Sequence, residues 1–269
     1  MKAYTIREPD ENLALPVVAS IPHAGVGLVP GLRRRLAGDY MRTLPMTDWH
    51  LPLLFDFLPA LGVTLIVAEM SRFVIDLNRP ADGRALYPGR FETGLVPLTG
   101  FNAEPVFDVP PSEVEIERAR HEIYAPYHAA LDALLERRRR GRRVAFFDLH
   151  SVTSEPTRVS ATLPAEIMLG DRDGRSCAPW LRETTAAAYR EEGFSVIANN
   201  PYKGGWITER VGKQEGTEAL QVEMSWAAYL DPADPAAAPA TPRFARARER
   251  LRGVWARLLP DVCGRLRSA

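Results

Sequence analysis

Much of the reactive chemistry in this 269-residue chain lies where apolar runs give way to polar residues, and two of its five histidines stand at such places. His23 follows Leu15-Pro16-Val17-Val18-Ala19-Ser20-Ile21-Pro22 and precedes Ala24-Gly25. His150 closes Arg143-Val144-Ala145-Phe146-Phe147-Asp148-Leu149 and precedes Ser151. Each imidazole therefore falls where a buried strand empties into a loop, beside a small residue that lets a ligand come close. A loop histidine bonded to backbone satisfies the same local pattern. Two imidazoles at strand ends, with no cysteine competing, also begin a catalytic zinc site. Such a site needs a third protein ligand and keeps one position open for water. Asp48 is the leading carboxylate; its alternative role is to stabilise the positive end of a following helix. Asp76 and Asp148 are further candidates. His121 and His128 read as surface or packing residues of a long helix, and His50 is open between roles.

Glu223 stands near the end of the strand expected at Ala219–Met224, between Val222 and Met224, where a carboxylate is costly to bury without a partner, so it is a candidate proton shuttle for a bound water. Arg72, Asn78 and Arg79 surround the short apolar segment 73–77. Guanidinium groups there suit a carboxylate or a developing oxyanion, and ion pairing with Asp76 and Asp82 is the competing role. The segment 199–210 joins turn formers, aromatics, Lys203 and Arg210 around a Gly pair and reads as a binding loop. Lysine occurs only at positions 2, 203 and 213, which makes Lys203 noticeable. No phosphate-binding loop, dinucleotide fingerprint or nucleophile elbow is present.

Elements that could position these groups alternate along the chain. Strands are expected at 15–21, 63–68, 73–77, 143–150, 194–198 and 219–224. Thr47 is a plausible cap for a helix carrying Leu51, Leu54, Phe55 and Leu58 and ending at Gly62. Ser112 and Glu115 form a capping box that opens a helix to Arg140, strained at Pro126 and stopped by Gly141. Further helices are expected at 177–192 and 242–258, and residues 80–111 form a long excursion or lid. The pattern predicts one three-layer α/β domain over residues 1–269, with a mixed, largely parallel sheet. In such sheets ligands bind beyond the carboxyl ends of the strands, where these separated residues could converge.

Composition narrows the function. Thirty-four basic and thirty-four acidic side chains leave no net charge, so nucleic acid and anionic membranes are not expected partners. Apolar stretches are too short to span a bilayer. No signal-like segment opens the sequence, and two distant cysteines, Cys177 and Cys263, form no disulfide framework. A cytoplasmic protein with a small-molecule substrate is expected.

Taken in order, Ile21–Gly25, Thr47–His50, Ser71–Pro80, Leu86–Gly89, Asp148–Ser151 and Asn200–Thr208 resemble the N-formylglutamate amidohydrolase family, especially its deformylases of histidine breakdown. That family is distantly similar to zinc carboxypeptidases and aspartoacylases, which implies a phosphorylase/hydrolase-like fold with one zinc. Those relatives place a Glu three residues after the first His; here Val26 stands there, and Asp48 is the proposed second ligand. The resemblance implies zinc on His23, Asp48 and His150, Glu223 as general base and Arg72 beside the oxyanion. It places Asn78 and Arg79 on one substrate carboxylate, with Lys203 or Arg210 on the other. After Thr208, Glu209-Arg210-Val211-Gly212 departs from the His-containing sequence expected of the deformylases. The implied reaction is hydrolysis of N-formyl-L-glutamate to formate and L-glutamate. Its alternatives are another N-acyl amino acid as substrate, or a metal-free protein that binds dicarboxylates.

Overall fold

A computed structural model describes residues 2–89, 91–139, 143–158, 160–231 and 233–268. Its centre is a seven-stranded sheet in the order β1-β3-β2-β4-β7-β5-β6. The strands are β1 (Tyr4–Arg7), β2 (Val17–Ile21), β3 (Thr64–Ala68), β4 (Val144–Val152), β5 (Ile167–Gly170), β6 (Val196–Ala198) and β7 (Thr217–Ser225). Four neighbouring pairs are parallel; β1 with β3 and β5 with β7 are antiparallel. The sheet is thus mixed and largely parallel, as the alternation of elements predicts.

Apolar residues on the two sheet faces build two cores. Phe147, Leu149, Leu220 and Val222 pack with α2 (Leu51–Leu54), α5 (Pro179–Glu191) and α7 (Pro242–Ser268). Phe146 and Ala219 point the other way, toward α4 (Ala125–Arg139) and α6 (Trp206–Gly212). Helices α1 (Gly38–Arg42) and α3 (Glu113–Ala119) complete the set. On β4 the second face continues from Phe146 through Asp148 to His150, since alternate residues share a face. The same residue spacing therefore grades from core to chemistry within one strand.

Several local expectations give way to tertiary contacts. Thr47 caps no helix: His50 takes a left-handed conformation (φ 59°) and α2 begins only at Leu51. A short 3₁₀ turn then precedes Gly62, whose φ of 90° ends the segment as expected. The run 73–77 is buried but is not a strand. Its backbone folds into turns, with Val74 N–H on Ser71 O and Asp76 N–H on Leu95 O, because the Asp76 carboxylate collects donors from its own segment. Strands β1 and β5 and helix α6 arise where no element was expected. Helix α7 runs past Pro260 because Leu259, Val262, Cys263 and Leu266 prolong its apolar stripe.

The capping box at Ser112 and Glu115 is formed, with the Ser112 N–H on Glu115 Oε2 at 2.8 Å. Ahead of Pro126 the helix widens into a π-turn over Arg120–Tyr124, and the Ala125 N–H bonds Arg120 O. The expected stop at Arg140–Gly141 lies outside the described residues.

His121 is exposed, whereas His128 is buried on α4 and donates Nε2–H to Leu77 O at 3.0 Å. Burial first, then the Arg210 guanidinium, holds this imidazole down at about 4; the bond to Leu77 O and the Asp132 and Asp148 carboxylates oppose them. An unfolded chain protonates histidine near 6.5. The folded state therefore binds fewer protons in between, and stability is complete above about pH 6.5 and lost as pH falls toward 4. This group accounts for about 3 kcal/mol of that loss. In His128→Gln, urea unfolding followed between those pH values should show a total loss of stability smaller by that amount.

Candidate metal centre and active site

Three parallel strands, β2, β4 and β7, are adjacent and deliver the site from their carboxyl edge. His23 stands two residues beyond β2, and His150 and Glu223 face each other in register across β4 and β7. Asp48 comes from the loop before α2, tied down by its own N–H to His23 O at 3.0 Å. Its Oδ2 lies 3.1 Å from His150 Nδ1 and 4.0 Å from His23 Nδ1. One ligand atom from each of the three residues lies within 4.8 Å of the others, and all three residues are buried. His23 and His150, distant in sequence, thus meet at one point, with the imidazole centroids 4.8 Å apart.

The remaining nitrogens of both imidazoles face carboxylates. His23 Nε2 donates to Asp76 Oδ1 at 2.7 Å, and His150 Nε2 lies 3.3 Å from Asp148 Oδ2. Asp76 and Asp148 therefore lie on the Nε2 side of the two rings, away from the nitrogens that face Asp48. Asp76 also accepts the Asn78 N–H at 2.8 Å and an Arg72 N–H at 2.5 Å. Burial opposes its ionisation, but Arg72, His23 and Arg79 outweigh that and hold its carboxyl well below the usual range. Asp148 is held by Ser20 at 3.2 Å and Thr208 at 3.1 Å.

These environments pull the two histidines apart. Burial and then Arg72 lower the His23 pKa, which favours the neutral imidazole. Burial also opposes charge on His150, but Asp148 and Asp48 outweigh it and raise its pKa well above 6.5. Four carboxylates, Asp48, Asp76, Asp148 and Glu223, are buried around this point. The residues fit a divalent cation: two imidazoles oriented by outer carboxylates plus one carboxylate form an N₂O donor set suited to zinc. The 3.1 and 4.0 Å donor separations bracket the roughly 3.3 Å imposed by tetrahedral bonds of about 2 Å.

Glu223 faces the same cavity, and burial first pushes its carboxyl up to about 8, with Asp48 and Asp148 adding and His150 and Arg72 opposing. Gln221, one alternate position earlier on β7, donates Nε2–H to Glu223 Oε2 at 3.0 Å and accepts the Gly205 N–H at 2.7 Å. Sequence reasoning passed over Gln221; its spacing two residues before Glu223 was the available signal.

Arg72, Asn78, Arg79 and Lys203 also line the cavity, together with Tyr87 and Tyr202. Arg72 bonds Asp76 through a terminal guanidinium nitrogen, while its Nε is a buried donor without a partner. Asn78 Nδ2 lies 3.0 Å from His150 Nε2, and its Oδ1 accepts the Ile207 N–H at 2.8 Å. Arg79 is pre-oriented by bonds to Thr93 O, Thr93 Oγ1 and Asn78 O. Lys203 pairs with Asp173 at 3.0 Å. Arg210 is a correction: it is absent from the cavity wall, and its guanidinium is bound to Asp132 on α4, because residues 206–212 form a helix that turns it away. His50 likewise donates to Pro235 O at 2.9 Å, outside this wall.

The Gly pair has a steric purpose. A Cβ on Gly205 would lie 2.2 Å from Asn78 Nδ2 and 2.5 Å from its Oδ1. Gly205→Ala must therefore displace Asn78 from His150, and kcat/KM for the substrate should fall by on the order of a hundredfold while the circular-dichroism spectrum is retained.

Comparison with known proteins gives this arrangement its class, a hydrolase of linear amide bonds. The chain belongs to the N-formylglutamate amidohydrolase family, whose profile matches residues 15–230. It is 40% identical over 227 residues to an N-formylglutamate deformylase of Pseudomonas putida, covering 82% of this chain and 84% of that protein. A deformylase of the same name from Pseudomonas aeruginosa is 36% identical over 223 residues, covering 81% and 83%. The crystal structure of an N-formylglutamate amidohydrolase from Ralstonia eutropha JMP134 superposes with a TM-score of 0.83 at 28% identity, covering 100% of this chain and 99% of that one.

Proposed function

We propose that the protein hydrolyses N-formyl-L-glutamate to formate and L-glutamate, using one Zn²⁺ held by His23, Asp48 and His150. The observation that carries this reading is the meeting of His23, Asp48 and His150 beside Glu223 in a cavity walled by Arg72, Arg79 and Lys203. When bound, zinc supplies Lewis acidity, which acidifies water and polarises an acyl carbonyl. Glu223 accepts a proton from the attacking water and passes it to the amide nitrogen as the C–N bond breaks. Arg72 donates to the acyl oxygen as negative charge develops there. Asn78 and Arg79 hold one glutamate carboxylate and Lys203 the other, so charge and length together select a dicarboxylate.

The partner on this reading is a small molecule, not nucleic acid or a membrane. No described helix is long and apolar enough to cross a membrane. Buried free thiols at Cys177 and Cys263 suit a reducing cytoplasm, where the reaction would complete a deformylation in histidine breakdown.

The test measures formate release from N-formyl-L-glutamate with native, chelator-stripped and zinc-restored protein, beside acetate release from N-acetyl-L-aspartate as a second substrate. Release that disappears on stripping and returns with zinc supports the reading. Equal rates after verified metal removal, or preference for the acetyl substrate, rejects it.

A further inference from the structure

The π-turned helix sets three side chains against the site from behind. Tyr124, the last residue of the π-turn, donates Oη–H to Arg79 O at 2.8 Å and accepts the Trp206 Nε1–H at 2.8 Å. His128, four residues on with its ring centroid 4.2 Å from that of Tyr124 and tilted by 41°, donates to Leu77 O. Between them, Tyr127 Oη lies 2.9 Å from Ser20 Oγ, which in turn holds Asp148. The two carbonyls flanking Asn78 are thus each held by a buried side chain of one helix face, where residues four apart are neighbours. π-Turns inside α-helices recur at functional sites, because the extra residue re-aims the face that follows.

We infer that Tyr124 and His128 are positioning residues: by holding Leu77 O and Arg79 O they aim Asn78 and Arg79 into the substrate cavity. The inference rests on the proposed function in that Asn78 and Arg79 are the groups assigned to a substrate carboxylate. Neither Tyr124 nor His128 lines the cavity, so their effect must pass through the turn. Binding at the remote carboxylate should suffer more than the chemical step.

Steady-state kinetics on N-formyl-L-glutamate and calorimetric binding of glutarate, a five-carbon dicarboxylate with no amide, test this together. Tyr124→Phe and His128→Phe should each raise KM, and the Kd for glutarate, about tenfold with kcat within about threefold. His128→Gln, which keeps an N–H near the position of Nε2, should return both to within about threefold of the unsubstituted protein. Unchanged KM and Kd in both Phe variants, a loss confined to kcat, or a Gln variant no better than Phe overturns the inference. Tyr124→Phe removes a single oxygen and carries the test if His128→Phe does not fold. Should the unsubstituted protein bind glutarate but release no formate, the functional reading falls while the glutarate comparison still decides the positioning role. Binding of neither molecule overturns both.

Discussion

Glu223→Gln should lower kcat for N-formyl-L-glutamate about a thousandfold while KM and bound zinc stay within about twofold, because a positioned general base contributes roughly 10²–10⁴. The substitution keeps the shape and the ability to accept from Gln221 Nε2, so the β7 edge has no reason to rearrange. What disappears is a group able to take a proton and return it. Burial, reinforced by Asp48 and Asp148, raises this carboxyl above its ordinary 4.5, toward about 8. A base must be ionised, so activity rises with pH through that titration, and a cation beside the carboxylate pulls the midpoint back down. The acid limb of the pH–rate profile should therefore fall between about 4.5 and 8 and be missing from the residual activity of the variant. A loss under tenfold, or one expressed in KM alone, would remove Glu223 from the proton path.

Asp48→Ala should have the other large effect: zinc content falling from about one per chain to below about a tenth, and formate release falling on the order of ten-thousandfold. Among the described residues, Asp48 is the only carboxylate placed between the two inward nitrogens, 3.1 Å from His150 Nδ1 and 4.0 Å from His23 Nδ1. Asp76 and Asp148 cannot substitute, since they sit on the opposite ring nitrogens. Metal analysis by mass spectrometry beside the activity assay reads both quantities, and Asp56→Ala, at a surface ion pair with Arg248, serves as the control. Full zinc occupancy in the Asp48 variant would assign the third ligand elsewhere.

Those two outcomes depend on residues with very different legibility. Glu223 announces itself locally, as a carboxylate between Val222 and Met224 that must be paired or shifted when buried. Asp48 does not: its neighbourhood resembles a helix cap, and only the left-handed His50 and the bond to His23 O turn it inward. Arg72, Asn78 and Arg79 were readable as a polar cluster, yet the strand expected between them is a set of turns organised by Asp76. Arg210 carried the right charge in the right segment but lies on the wrong side of a helix. His128, set aside as packing, is buried against the carbonyl of the residue before Asn78. Gln221 carries no charge that would single it out, and matters only through the Gly205 N–H and Glu223 that it touches.

Patterns of burial, strand ends and caps come from interactions within a few residues, and they already established an α/β chain with His23, His150 and Glu223 at polar strand termini. Strand order and register belong to contacts between segments far apart along the chain. Those placed β4 between β2 and β7, set His150 opposite Glu223, and decided which carboxylate faces the inner nitrogens and which the outer. Direction is what local pattern lacks: a side chain's type follows from its own position, but what it points at is set by neighbours folded in from elsewhere.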